Sequence, residues 1–194
     1  MHVSVKLPDP DNTSGTRILL ASAFWLWANV TMATGFEISD AGVTLINNFY
    51  TVEARAQFEF TERTLEALAN GVGLTINIEV ELQRQRKYFW DPVIVRAIHG
   101  YRLKRYELTE QYLITNTTLG THRNFRSLDD AIHALGVLDP ITVMQTGLLD
   151  SAHSHGLRLR SRLDIESLPA PLRLVAYISR NWRLSSPWFA LTLP

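Results

Sequence analysis

Hydrophobic and polar residues alternate most cleanly at 74–82, where Leu74, Ile76, Ile78, Val80 and Leu82 take turns with Thr75, Asn77, Glu79 and Glu81. A period of two gives a strand one wholly apolar face, and that face must lie over a core. The same rhythm runs from Tyr50 through Val52, Ala54, Ala56 and Phe58 to Phe60, and this long strand is the expected partner of the first. Upstream, Ile38 and residues 43–46 read as short strands around an Asp40-Ala41-Gly42 turn. Beyond Arg84 the pattern predicts two strands joined across an Asp91-Pro92 break, the second running through YRLKRYELTEQY at 101–112. Further strands follow at 112–119 and 121–125, around Gly120. Leu157, Leu159, Leu163 and Ile165 alternate with Arg158, Arg160, Arg162, Asp164 and Glu166, another half-buried strand with Ser161 on its inner face.

Three segments read as helices. Thr61 caps the first, Leu65, Leu68 and Ala69 form its inner stripe, and Asn70-Gly71 supplies a left-handed stop. Ser127 with Asp130 makes a capping box for the second, with Ala131, Ile132 and Leu135 inside and Gly136 at the end. After Leu168-Pro169-Ala170-Pro171 a third helix places Leu172, Val175, Ala176 and Ile178 inward. Residues 139–155 carry the least regular pattern. The elements together predict an α+β, mostly β chain: an antiparallel, sandwich-like β domain with two short helices between strands and a third near the C-terminus.

Length and composition narrow the picture. The 194 residues suit one domain with a sizeable core, and 19 basic residues balance 19 acidic ones, so no global field draws the chain to nucleic acid. Without cysteine there is no disulfide framework, thiol nucleophile or cysteine-ligated metal. Residues 18–33 form an uncharged, mostly apolar run behind a polar lead that ends in Arg17. Roughly 16 residues is short of the roughly 20 that span a bilayer, and the run is apolar on all sides, as a secretory signal is. Residues 1–33 are therefore expected to be a signal peptide or an uncleaved membrane anchor, and 34–194 a single β-rich periplasmic domain.

Candidate chemistry concentrates at 84–105. Seven basic residues stand there against a single acid, Asp91, interleaved with Tyr88, Phe89, Trp90 and Tyr101. Arginine beside aromatics can hold phosphates or anionic sugars, which makes Arg84, Arg86, Trp90, Tyr101 and Arg105 the candidate ligand-binding residues. The competing reading is a solvated hairpin whose counter-charge comes from the outer faces of neighbouring strands, Glu53, Glu59, Glu79 and Glu81. Asp150, His153 and His155 are close in sequence, but no helical pair of histidines accompanies them, so no metal and no cofactor is expected. His99, His122 and His133 read as surface residues, and Trp182 and Trp188 as core edges rather than a ligand platform. Gly71 and Gly73 follow a helix and enter a strand, the reverse of a phosphate loop. Nucleophile-elbow and zinc-protease motifs are absent, and the Glu79 and Glu81 pair reads as solvated.

The helix-glycine-strand LEALANGVGLTINIEVEL, the Arg84-x-Arg86 run into Trp90-Asp91, YRLKRYELTEQY, the Ser127 helix, RSRLDIESLPAPLR at 160–173 and NWRLSSPW at 181–188 occur in a characteristic order. In that order and spacing, covering nearly all the chain after Gly35, the sequence resembles a family of exported bacterial proteins known as domain of unknown function 4390. The 153–155 segment and the ending after Trp188 depart from the family pattern. The resemblance implies a signal-bearing envelope protein, in the periplasm or anchored in the inner membrane facing it, with a gene often beside a membrane sensor kinase of the nitrogen-regulation type. It implies no catalytic or ligand residue. The expectation is a non-catalytic binding or interaction module whose partner is an envelope or membrane protein, such as a sensor histidine kinase, and not nucleic acid. The alternative is capture of an anionic glycan or lipid headgroup through 84–105, with transient or anchored membrane association; an unrecognised hydrolase ranks third.

Overall fold

The computed structural model describes residues 35–86, 90–149 and 153–193, all within one unit spanning 33–194. The export segment expected at 1–33, residues 87–89 and Asp150 lie outside the described residues. In chain order the elements are β1 (Phe36–Ile46), β2 (Phe49–Phe58), α1 (Glu62–Ala69), β3 (Leu74–Arg84), β4 (Val93–Tyr106), β5 (Gln111–Asn116), β6 (His122–Phe125), α2 (Leu128–Leu135), β7 (Ile141–Gln145), β8 (His155–Leu163), α3 (Ala170–Ile178) and β9 (Phe189–Leu191). Every pairing is antiparallel, in a three-stranded sheet β1-β2-β7 and a six-stranded sheet β6-β5-β4-β3-β8-β9.

The alternating apolar sets of both sheets meet in one core. Phe36, Ile38, Val52, Ala54, Ala56 and Phe58 come from the small sheet, and Leu74, Ile76, Ile78, Val80 and Leu82 from the centre of the large one. Phe36 sits edge-on to both Phe58 and Phe60, a favoured arrangement for aromatic rings. The mostly β, antiparallel, sandwich-like architecture with three helices is thus the one the periodicity predicts.

Several details differ. β2 pairs with β1 and β7, whereas β3 lies between β4 and β8 in the other sheet, so the two longest alternating runs face each other across the core rather than sharing an edge. Asp40-Ala41-Gly42 is no turn: β1 runs straight through it, and the register shifts between Ile38 and Asp40. That bulge resets the alternation, so that Ile38 opposes Ala56 and Ala41 opposes Ala54. The 101–112 strand is cut by a turn at 107–110, with Glu110 at φ 52°, which divides β4 from β5. β5 ends at Asn116 instead of 119. Within the irregular 139–155 stretch the small sheet takes its third strand, β7.

Caps behave as the sequence indicates. Thr61 accepts from the Thr64 N–H and Gly71 adopts φ 77° after α1. Ser127 accepts from the Asp130 N–H at 3.1 Å, while its hydroxyl donates to the Asp130 carboxylate at 2.7 Å. The capping box therefore closes on the hydroxyl rather than on a backbone N–H. Helix α3 departs from expectation: Ala176 is buried and Leu172 half-buried, but Val175 and Ile178 point away from the core.

Candidate anion-binding face

The outer face of the six-stranded sheet is built from the polar halves of three neighbouring strands. Glu79 and Glu81 on β3 stand opposite Arg160 and Arg158 on β8, and Glu81 stands opposite Arg96 on β4. Alternation fixes this: if Ile78, Val80, Leu157 and Leu159 face the core, their neighbours must face out.

Both carboxylates are nevertheless buried, Glu79 at 4% and Glu81 at 1% exposure, because arginines lie over them. Glu79 accepts from Arg160 Nε at 2.9 Å, Arg160 Nη2 at 2.8 Å and Arg162 Nε at 2.7 Å. Glu81 accepts from Arg158 at 2.9 and 2.6 Å and from Arg96 at 2.8 and 2.5 Å. The expectation that this acidic pair is solvated is therefore corrected. Burial alone would raise the carboxyl pKa of Glu81, but hydrogen bonds and charge from Arg158 and Arg96 outweigh it and hold the group below the ordinary 4.5.

Four guanidinium groups around two carboxylates leave an excess of two positive charges on an open surface. Trp188, expected as a core edge, is half-buried beneath two of these cations. The guanidinium carbons of Arg158 and Arg160 lie 4.1 and 4.3 Å from its ring centroid. The bonds of Arg96, Arg158 and Arg160 to carboxylate use Nε and Nη2, so Nη1 of each is not engaged by them. Arg158, Arg160 and Arg162 follow one another at every second residue, roughly 6.6 Å apart.

The five residues singled out by sequence are not brought together. Arg84, Arg86 and Trp90 lie at one end of the β3-β4 hairpin, where the Arg86 N–H donates to Asp91 at 2.7 Å and Trp90 is 91% exposed. Arg105 lies at the other end, roughly 40 Å of strand away. There its Nη1 donates at 3.0 Å to the Ala69 carbonyl, one of the unpaired acceptors at the end of α1. Tyr101 presents no surface to a ligand. It is 1% exposed on the core side of β4, where its hydroxyl accepts from the Asp139 N–H at 3.1 Å and donates to the Asp139 carboxylate at 3.4 Å. Asn116 Nδ2 joins the same carboxylate at 2.8 Å. Burial is the main cause that pushes the Tyr101 hydroxyl up to about 12, and it also lowers the pKa of half-buried His99, against the opposing charge of Asp139.

Reasoning from sequence missed Arg158, Arg160, Arg162 and Trp188 as a group. Their alternation was visible, but the pairing that sets β8 against Glu79 and Glu81 spans about eighty residues and leaves no local mark. Among the described residues, Arg96 on Glu81 is the one element of the expected counter-charge scheme that the fold builds, since Glu53 and Glu59 lie on or just past the other sheet. Among the described residues no group of three or more His, Asp or Glu is placed to hold a metal ion.

Comparison with curated proteins and with solved structures finds no match. The profile of a family described as Domain of unknown function (DUF4390) matches residues 33–192, which includes every strand and helix described above. The chain belongs to the DUF4390 family.

Proposed function

We propose that this protein is a non-catalytic binding module of the cell envelope that holds an anionic glycan on the outer face of its six-stranded sheet. One observation carries the reading: four guanidinium groups, fixed in place by two buried carboxylates, present their remaining donors and an excess positive charge on a face where the arginine side chains keep 31 to 55% exposure. A long flexible side chain loses rotamer freedom when it captures a ligand. Here Glu79 and Glu81 have already imposed that order, so a carboxylate or sulfate arriving from solvent meets a preorganised array. The ring of Trp188 and the exposed side chain of Ile98 beside the arginines offer apolar area for the faces of sugar rings. The regular spacing on β8 suits a ligand that repeats its charge along a chain. Envelope placement draws support from the apolar run at 18–33.

Calorimetric titration of the protein with heparin and with polygalacturonate, using neutral dextran as control, tests this reading. Binding to the two anionic polymers is expected, weakening as salt rises. Changing Arg160→Glu together with Arg162→Glu is expected to lower the affinity at least tenfold, while Arg105→Glu, at the far end of the sheet, leaves it within about twofold. Equal binding by the Arg160 and Arg162 double variant, or no binding to either polymer, would remove the proposal.

A further inference from the structure

Helix α3 is apolar on nearly every side, a composition suited to a buried helix, yet it lies at the surface. Leu172 and Ala176 face the body of the protein. Leu174, at 73% exposure, Val175, Tyr177 and Ile178, at 83%, face away. At 100° per residue these four span roughly 160° of the helix circumference, a continuous stripe rather than scattered side chains. The stripe runs into a groove of about 560 Å³ between α1 and α3, lined by Ala67, Val72, Leu172, Val175 and Trp182.

Among the described residues, basic side chains around this stripe outnumber the acids that reach it. From 168 to 194 the chain contains Arg173, Arg180 and Arg183 and no acidic residue. Arg183 donates to the Tyr177 carbonyl at 2.7 Å, which places its guanidinium at the C-terminal end of the helix, and Arg180 is exposed two residues beyond Ile178. Arg173 donates to the Leu168 carbonyl at 3.0 Å. The acids that approach are engaged: Glu166 accepts from the Tyr177 hydroxyl, and Glu66 across the groove pairs with Arg63 at 3.0 Å.

We propose that α3 docks on an anionic lipid bilayer, with Leu174, Val175, Tyr177 and Ile178 entering the interface and Arg173, Arg180 and Arg183 meeting lipid phosphates. A second copy of the chain would bury the stripe equally well, but it would bring the same arginines against one another. A bilayer of anionic lipid is negative wherever the helix lands. Nine residues of helix span roughly 13 Å, far short of a hydrocarbon core, so the helix lies in the plane of the surface. No described helix is long and apolar enough to cross a membrane. The glycan-binding face uses different residues, and either proposal stands without the other.

The chain has no cysteine, so a single Ile178→Cys substitution carries an environment-sensitive fluorophore to the centre of the stripe. The full chain is mixed with vesicles of phosphatidylglycerol in phosphatidylcholine, and a chain labelled through Asn124→Cys on β6 serves as control. The expected result is a blue shift at position 178, with quenching by lipid-borne nitroxide, and neither effect at 124. Because the label reports only its own surroundings, attachment by another part of the chain is not mistaken for docking of α3. Leu174→Glu, on a side chain already in solvent, is expected to lower partitioning of the labelled helix about tenfold or more, and Arg180→Glu to lower it severalfold. Absence of the shift overturns the proposal, as does a shift unaltered by Leu174→Glu or equally strong with phosphatidylcholine alone. A shift that grows with protein concentration in the absence of vesicles overturns it in favour of self-association.

Discussion

Glu81 shows how a residue's neighbours decide its chemistry. A carboxylate at 1% exposure is costly unless charge and hydrogen bonds are supplied, and Arg96 and Arg158 supply both. Its folded-state pKa lies below that of the unfolded chain, so its contribution to stability is present above about pH 4.5 and is lost as pH falls through the lowered value. Glu81→Gln is expected to flatten the acid limb of a stability curve followed by urea unfolding. Glu81→Ala leaves two arginines facing each other and is expected to cost about 2 kcal/mol at pH 7, part of it returned by salt. Tyr101 behaves in the opposite sense: burial raises its pKa to about 12, so its contribution is complete below pH 10 and fades between 10 and 12. Tyr101→Phe leaves the Asp139 N–H and carboxylate short of a partner and is expected to cost about 1–2 kcal/mol in thermal or urea unfolding. At this scale the sequence told which face each side chain takes but not what covers that face. Glu81 was legible as an outward residue, while its burial under arginines from two other strands was not.

Elements are legible where one local period runs unbroken. β3, α1 and α2 appear close to where alternation, caps and glycine stops place them, because each is specified by contiguous residues. β1 was misread because its bulge inserts one residue into the count and breaks the phase at Ser39 and Asp40, which mimics a turn. β7 was missed because five residues set between α2 and a 3₁₀ turn carry too short a pattern to count. The Thr61 hydroxyl both caps α1 and donates to the Asn181 carbonyl at 2.9 Å, so it joins elements about 120 residues apart. Thr61→Ala is expected to cost about 1–2 kcal/mol, the upper part of the usual range for a cap, in equilibrium unfolding. Gly136 closes α2 against β2: its carbonyl accepts from the Ala56 N–H at 2.8 Å, and a Cβ there would overlap the Ala56 carbonyl oxygen. Because that neighbour is backbone, Gly136→Ala is expected to cost at least about 2 kcal/mol and to lower the melting temperature by several degrees.

At the scale of the whole molecule the two sheets divide their labour. Their inner faces share one core, and the outer face of the larger sheet carries the arginine array. The candidate site was half legible. Arginine and aromatic residues were expected to gather at 84–105, where basic residues are dense in sequence, whereas the fold orders arginines in space on β8. Density in sequence and density on a face coincide only when one element supplies the whole site. Here three strands and the residue before β9 supply it.

The pairing of β3 with β8 also bears on how the chain is made. A ribosome delivers β3 long before β8, and Glu79 and Glu81 meet three of their four arginines only after residue 158 has emerged. Until then the central strand of the large sheet has an open edge and two carboxylates that are costly to bury. The sheet cannot close early around an unfinished chain. A release product that stops before β8 is expected to be digested by protease at concentrations that leave the full chain intact, so the ion-pair lattice doubles as a check that synthesis has passed β8.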